Sequence, residues 1–231
     1  VPFFGALAEE FGARGHRVLW TARDYAQTVE LAREAGLPAE VFGSHGGKNV
    51  FQKGLKFGGR ILDLLKWARG KKIDLAVSHN SHEPLAVARI LRIESANLMD
   101  YEHHPANHLS FRLASRLIVP ESFPTGSLRK FGAGEKKVRA FPGIKEDVYL
   151  ADFAPDPEFP GKLAALGVSP SDVLIVVRPH APEALYHRQF SNEILDEMLE
   201  KFAAARDDVK IILLPRKTYQ GEAMRRRHKS A

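Results

Sequence analysis

Short apolar runs alternate with amphipathic segments along most of the chain, and this alternation restricts the possible folds more than any other sequence feature. KIDLAVSH, residues 72–79, SANLMDYE, residues 95–102, and HRVLWTA, residues 16–22, have the composition of β-strands. EPLAVARILR, residues 83–92, has the spacing of a helix. Repeated strand–helix units form parallel sheets with helices on both faces. The predicted fold class is therefore α/β with a Rossmann-like parallel sheet.

The alternation is interrupted by a segment rich in proline and acidic residues. This segment, GIKEDVYLADFAPDPEFPG, shows little periodicity and spans 143–161. A chain of 231 residues is long enough for two modest domains. We therefore predict a first domain at 1–142, a linker at 143–160 and the start of a second α/β domain at 161–231. The chain lacks an initial Met and ends in a charged helical stretch, so both ends are expected to be fragment boundaries.

Composition argues against several classes of protein. The sequence has no apolar run of the roughly 20 residues that a membrane-spanning helix needs, and its first residues lack the basic start of a signal peptide. Without cysteine the chain forms no disulfide, and a cytoplasmic location is expected. The net charge of +6 favours an anionic partner. Much of it comes from RRRHK at 225–229, a run more typical of a solvated helix face, so no nucleic-acid partner is predicted.

Histidines are concentrated just after the predicted strands. Ligands of open parallel sheets bind beyond the carboxyl ends of the strands. Seven of the ten histidines occupy such positions, namely His45, His79, His82, His103, His104, His108 and His180. This distribution predicts a functional site at the carboxyl edge of the sheet.

The segment MDYEHHPANH, residues 99–108, allows three interpretations. His104 and His108 are four residues apart, as in some metal sites, but the segment lacks the H-E-x-x-H pattern. Carboxylates at 100 and 102 could complete such a site, but no cysteine contributes a ligand. We therefore predict no metal and instead assign Glu102 and His103 as acid–base groups or ligand contacts. Helix capping by Asn107 or His104 remains the alternative.

Two loops have features of anion-binding sites. In GSHGGK the backbone N–H groups of the glycines and the charge of the lysine are suited to binding an anion. We therefore predict that the substrate contacts His45, Gly46, Gly47 and Lys48. In AVSHNSHEP, His79 and Asn80 precede a helix whose N-terminus attracts phosphate or carboxylate. A plain flexible turn and ordinary N-capping by Ser81 are the respective alternatives.

Arginines end two strands of the second predicted domain. Arg178 follows the strand in VVRPHAP, together with His180, and Arg216 follows the strand in LLPR. Guanidinium groups at neighbouring strand ends are suited to a diphosphate, because they bind phosphate oxygens in pairs. Solvated strand-end arginines are the alternative.

Several ordered motifs resemble one family. LAEEFGARGHRVLWTARDYAQTVELAREAGLP, NHLSFRLASRLIVPE, GIKEDVYL, VVRPHAP and LLPR are similar to the uncharacterised family called domain of unknown function 354. That family in turn resembles the GT-B glycosyltransferases and the UDP-N-acetylglucosamine 2-epimerases. The resemblance implies a GT-B-type two-domain architecture in which the second domain holds the nucleotide. It also implies that the first strand and much of the second domain are missing from this chain.

The resemblance further implies a function in envelope or surface glycan metabolism. The expected activity is that of a glycosyltransferase that uses a nucleotide sugar as substrate and a glycan or lipid as acceptor. No cofactor is expected, and peripheral association with a membrane is compatible with this activity. One alternative is a 2-epimerase that uses Glu102 as its acid–base group, although Asn80 stands where those enzymes carry an acidic residue. A non-catalytic binding protein is the other alternative. By position, Arg178 and His180 correspond to diphosphate contacts.

Overall fold

The structure is a computed structural model that describes residues 1–25, 27–44, 50–179, 193–215 and 218–227. It divides into two compact units, Val1–Phe153 and Ala154–Ala231. All of the strand pairs between described residues are parallel, and helices connect the strands. The α/β prediction is therefore confirmed. The division at residue 153 falls inside the segment 143–160, for which a linker remains a prediction.

The first unit contains seven described helices and six described strands. The helices are α1 (Pro2–Ala13), α2 (Thr28–Glu34), α3 (Val50–Ala68), α4 (His82–Leu91), α5 (Asn107–Leu113), α6 (Thr125–Lys130) and α7 (Lys145–Leu150). The strands are β1 (Thr21–Asp24), β2 (Glu40–Ser44), β3 (Leu75–His79), β4 (Glu94–Leu98), β5 (Arg116–Pro120) and β6 (Val138–Phe141). A short 3₁₀ helix, Glu135–Lys137, precedes β6.

The second unit contains the helices α8 (Phe159–Ala165), α9 (Glu193–Ala205) and α10 (Thr218–Arg227) in its described ranges. Its strands β7 (Val173–Val177) and β8 (Val209–Leu213) pair in parallel. In the parts of the chain that the structure describes, no helix is long and apolar enough to cross a membrane.

Strands β3, β4, β5 and β6 form one sheet in that order, and β1 pairs with β2 in a second. The main core lies beside β4 and β5, where Met99, Leu117 and Val119 pack with Phe111 and Phe123. Helix α4 covers β3 and β4 because its apolar residues at helical spacing, among them Leu85 and Ala88, are buried.

A cavity of about 840 Å³ separates β1 from β3. Each of these strands lies at an edge of its sheet, and apolar side chains of α1, α3 and α4 complete the lining. The predicted strand at 16–22 forms only from Thr21, because pairing with β2 begins at Thr21 and Glu40. Likewise β3, whose apolar sequence is typical of a buried strand, leaves Leu75 45% exposed. The cavity lies where a further parallel strand would pair, and the missing first strand stays a prediction.

Phe111→Ala should destabilise the protein by about 3–5 kcal/mol, the usual cost of truncating a buried phenylalanine. Phe111 is fully buried, and its ring contacts those of Phe123 and Phe131. Urea unfolding followed by circular dichroism measures the change. Phe153→Ala is the matched control: Phe153 is 69% exposed, so its loss should change the free energy of unfolding by less than about 0.5 kcal/mol. Equal effects of the two substitutions would contradict the assigned core.

Candidate functional site

Polar side chains from three elements meet where β3 and β4 end. His79 is the last residue of β3, and Asp100 follows the end of β4 by two residues. Lys145 is the first residue of α7. Because β3 and β4 run parallel with His79 opposite Leu98, both strand ends reach the same edge of the sheet. This is the edge at which parallel α/β proteins bind ligands.

Asp100 lies between two cationic or potentially cationic groups. Its Oδ1 is 3.2 Å from His79 Nε2, and its Oδ2 forms an ion pair with Lys145 Nζ. Lys145 Nζ also lies 3.1 Å from Glu146 Oε1. The side chains of His79, Asp100 and Lys145 are between 23% and 32% exposed, so a ligand can reach them while most of their surface is packed. We refer to these three residues as the Asp100 cluster.

The contacts of the Asp100 cluster determine the charges of Asp100 and Lys145. The hydrogen bond with His79 lowers the pKa of Asp100 most, and Lys145 lowers it further. Partial burial opposes this shift, but the pKa of Asp100 still lies well below its ordinary value. Partial burial lowers the pKa of Lys145, but hydrogen bonds to Asp100 and Glu146 outweigh it, and the pKa is raised. Asp100 is thus a carboxylate at neutral pH, and it lies beside the ring of His79. A carboxylate in this position orients a histidine for proton transfer.

Two buried asparagines support the loops around the cluster. Asn97 Oδ1 accepts a 3.0 Å hydrogen bond from Ser78 Oγ, which links the carboxyl ends of β4 and β3. Asn107 Nδ2 donates a 3.0 Å hydrogen bond to the carbonyl of Tyr101 and holds the loop that follows β4. Both asparagines are fully buried. The positions of His79 and Asp100 are therefore set by packed structure on either side.

The predicted contacts His79 and Asn80 lie at this edge. Asn80 has φ of 51°, a left-handed conformation that asparagine tolerates better than most residues, and it turns the chain from β3 toward α4.

Of the predicted acid–base pair, Glu102 Oε1 lies 3.4 Å from His103 Nε2, and His103 is 72% exposed. These two residues pair with each other at the border of the site. Their catalytic roles stay predictions.

Of the remaining predicted contacts, only Arg178 lies within the described residues. Arg178 follows β7 in the second unit and is exposed. His45, Gly46, Gly47, Lys48, His180 and Arg216 lie outside the described residues. Within the described ranges, no group of three or more His, Asp or Glu side chains is arranged to hold a metal ion.

Sequence reasoning missed Lys145 and undervalued Asp100. Lys145 lies in the segment interpreted as a linker, and its contact with Asp100 spans 45 positions of sequence. One signal was available: a lysine in the first turn of a helix opposes the helix dipole and therefore needs a nearby acidic partner. Asp100 was read as part of a strand, although β4 ends at Leu98 and Asp100 lies in the loop that follows it.

Comparison with protein families gives one match. The family described as "Protein of unknown function (DUF354)" matches residues 1–230. No curated protein matches the sequence.

Several solved structures share the fold. A proposed UDP-N-acetylglucosamine 2-epimerase from Listeria monocytogenes aligns with TM-score 0.64 and 10% identity over 97% of this chain and 60% of its own. UDP-GlcNAc 2-epimerase from Methanocaldococcus jannaschii aligns with TM-score 0.59 and 15% identity over 99% and 66%. Anabaena Alr3699/HepE in complex with UDP-glucose aligns with TM-score 0.53 and 18% identity over 87% and 54%. The chain thus has a GT-B fold and spans between 54% and 66% of the length of these proteins.

Asp100→Asn should flatten the dependence of stability on pH in the acid range. The folded protein holds the pKa of Asp100 below that of an unfolded aspartate, which is about 3.9. Its stabilisation is therefore fully present above about pH 5 and is lost as the pH falls through about 4 toward the folded pKa. Urea midpoints of wild type and variant, measured in steps from neutral to acid pH, should converge as the pH falls.

Lys145→Met provides a second arm of this experiment, because it removes one of the two partners that lower the pKa of Asp100. Its acid loss of stability should be smaller than that of the wild type and larger than that of Asp100→Asn. Parallel profiles for all three proteins would show that the Asp100 cluster does not form.

Proposed function

Since the chain belongs to the DUF354 family and has a GT-B fold, we propose that it acts on nucleotide sugars as a glycosyltransferase of envelope or surface glycan metabolism. The observation that carries this proposal is the Asp100 cluster at the carboxyl edge of the first unit. The complex of Anabaena Alr3699/HepE with UDP-glucose supports the choice of nucleotide sugar by analogy of fold. The acceptor is a glycan or a lipid, and the proposal assigns no cofactor.

In the proposed reaction, an acceptor hydroxyl attacks the anomeric carbon of the nucleotide sugar. The new bond joins the hydroxyl oxygen to that carbon, and the bond from the carbon to the diphosphate oxygen breaks. The hydroxyl proton passes to His79 Nδ1, the ring nitrogen that does not face Asp100. Asp100 stabilises the imidazolium that forms, and Lys145 holds the Asp100 carboxylate in place.

The leaving diphosphate is assigned to the second unit. Arg178, at the carboxyl end of β7, is the described residue proposed to contact it. His180 and Arg216, which also follow strands in the sequence, complete the proposed set. Positive charge near the leaving oxygens stabilises the charge that develops there.

A second candidate is a sugar-nucleotide 2-epimerase. It is favoured by the higher TM-scores of the two epimerase structures, 0.64 and 0.59, against 0.53 for the complex with UDP-glucose. In that reaction Asp100 and Glu102 are the carboxylates available to remove and return a proton. Asn80, in place of an acidic residue, makes the transferase the first choice.

His79→Gln and Asp100→Asn should each reduce turnover of the productive nucleotide sugar by about 10²-fold or more, the usual contribution of a general base. Affinity for the nucleotide sugar should change little, because neither side chain is assigned to the nucleotide. Nucleotide release from UDP, GDP, dTDP and CMP sugars measures turnover, and calorimetry measures affinity. Glu94→Gln is the matched control, since Glu94 is exposed at the opposite end of β4, and its turnover should match the wild type.

The products distinguish the candidates. Transfer to an acceptor supports the glycosyltransferase, and inversion at C2 of the sugar supports the epimerase. Binding without either reaction would make the chain a nucleotide-sugar binding protein. No binding of any nucleotide sugar would contradict the proposed function in every form.

A further inference from the structure

A second charged cluster lies at the same edge of the first unit, where β1 ends and α4 begins. Two arginines, Arg23 of β1 and Arg60 of α3, both form ion pairs with Glu83 in the first turn of α4. Glu83 is 2% exposed and Arg60 is 5% exposed, whereas the side chain of Arg23 is 38% exposed. One carboxylate therefore serves two guanidinium groups.

The contacts of Arg60 account for its own charge. Its NH1 atom lies 3.0 Å from Glu83 Oε2 and donates a 3.3 Å hydrogen bond to Ser81 Oγ. Its Nε donates a 2.9 Å hydrogen bond to the carbonyl of Phe42. Arg60 and Glu83 thus form a nearly fully buried, neutral pair, the form in which buried charges are tolerated.

Arg23 supplies the charge that remains. With Arg60 and Glu83 balanced, the three side chains carry one net positive charge, and it lies on the more exposed guanidinium. The Nε atom of Arg23 is buried and has no hydrogen-bond partner among the residues that the structure describes. A buried donor without a partner costs free energy, which a bound acceptor oxygen would recover.

Arg23 and His79 border a common space. The polar residues that line the cavity between β1 and β3 include Arg23, Arg60, His79, Asn80 and Ser81. The rest of its lining is largely apolar. Arg23 and the proposed base His79 thus line the same cavity.

Neighbouring groups respond to the charge of Arg23. Burial, the adjacent His104 and Arg23 lower the pKa of His82 to about 4. Burial and then Arg23 lower the pKa of Arg60 to about 10. His82 is therefore neutral at pH 7, and the electrostatic potential around Arg23 is positive.

We propose that Arg23 binds an oxyanion group, phosphate or carboxylate, of the acceptor substrate, so that an acceptor hydroxyl reaches His79. This inference rests on the proposed function and narrows the acceptor to a hydroxylated anion. A guanidinium group is suited to this role because its planar array of donors matches two oxygens of a phosphate or carboxylate.

Titration of the protein with glycerol 3-phosphate, glycerate and glycerol at low ionic strength tests the inference. The three probes carry hydroxyl groups and differ in the anionic group. At least one of the two anions should bind, glycerol should not, and the stronger anion identifies phosphate or carboxylate as the recognised group. Arg23→Gln should weaken that binding at least tenfold, and Arg23→Lys should weaken it less.

Arg116→Gln is the matched control, because Arg116 is exposed at the amino end of β5 and the substitution removes the same charge. It should leave the affinity within twofold of the wild type. An Arg23→Gln variant that binds the anion as tightly as the wild type would overturn the inference. So would equal binding of glycerol, or no binding of either anion to the wild type.

A wild-type measurement covers the case in which Arg23→Gln does not fold. Bound anion should raise the pKa of His82, followed through its ring signals by NMR, because the anion offsets the charge of Arg23. An unchanged titration at saturating anion would overturn the inference. None of these experiments contains a nucleotide sugar, so their failure leaves the proposed donor chemistry standing, and failure of nucleotide-sugar binding leaves the anion site standing.

Discussion

The in-register parallel pairing of β3 with β4 determines where the chemistry of the first unit lies. Ser78 stands opposite Asn97 and His79 opposite Leu98, so the loops after both strands leave the sheet at one level. The buried hydrogen bond between Ser78 and Asn97 favours this register over its neighbours. A slip of one residue would turn the side chains of β4 to the other face and would leave these polar groups without partners. The approach of Asp100 to His79 depends on this pairing.

The turn before α7 completes the arrangement from the other side. Gly143 has φ of 85°, and a side chain there would collide with the carboxylate of Asp147. That carboxylate accepts a 2.8 Å hydrogen bond from the backbone N–H of Ile144 and so caps the start of α7. The cap fixes the first residue of the helix, Lys145, beside Asp100. A segment that looks irregular in sequence is thus a structured part of the site.

Local pattern predicted the fold better than it predicted the site. Alternation of strand and helix predicted the parallel α/β class, and His79 and Asn80 were expected at the carboxyl edge of the sheet, where the structure has them. The partner of Asp100 on α7 could not be found in this way, because no periodicity links Lys145 to a residue 45 positions earlier. Glu102 and His103 do follow β4, but because β4 ends at Leu98, it is Asp100 that the following loop directs toward His79. The triad of Arg23, Arg60 and Glu83 likewise joins three elements that sequence separates.

The cavity between β1 and β3 also affects how the molecule behaves in solution. Among the residues that the structure describes, no strand pairs with the facing sides of these two strands, and apolar side chains surround them. Unpaired strand edges of this kind are templates for the strands of other molecules. If copies of the chain associate, the edges of β1 and β3 are the positions at which pairing is expected to start. Binding of an anion at Arg23 should instead weaken as the salt concentration rises, because salt screens the attraction between charges. This response to salt distinguishes ligand binding from association through apolar strand edges.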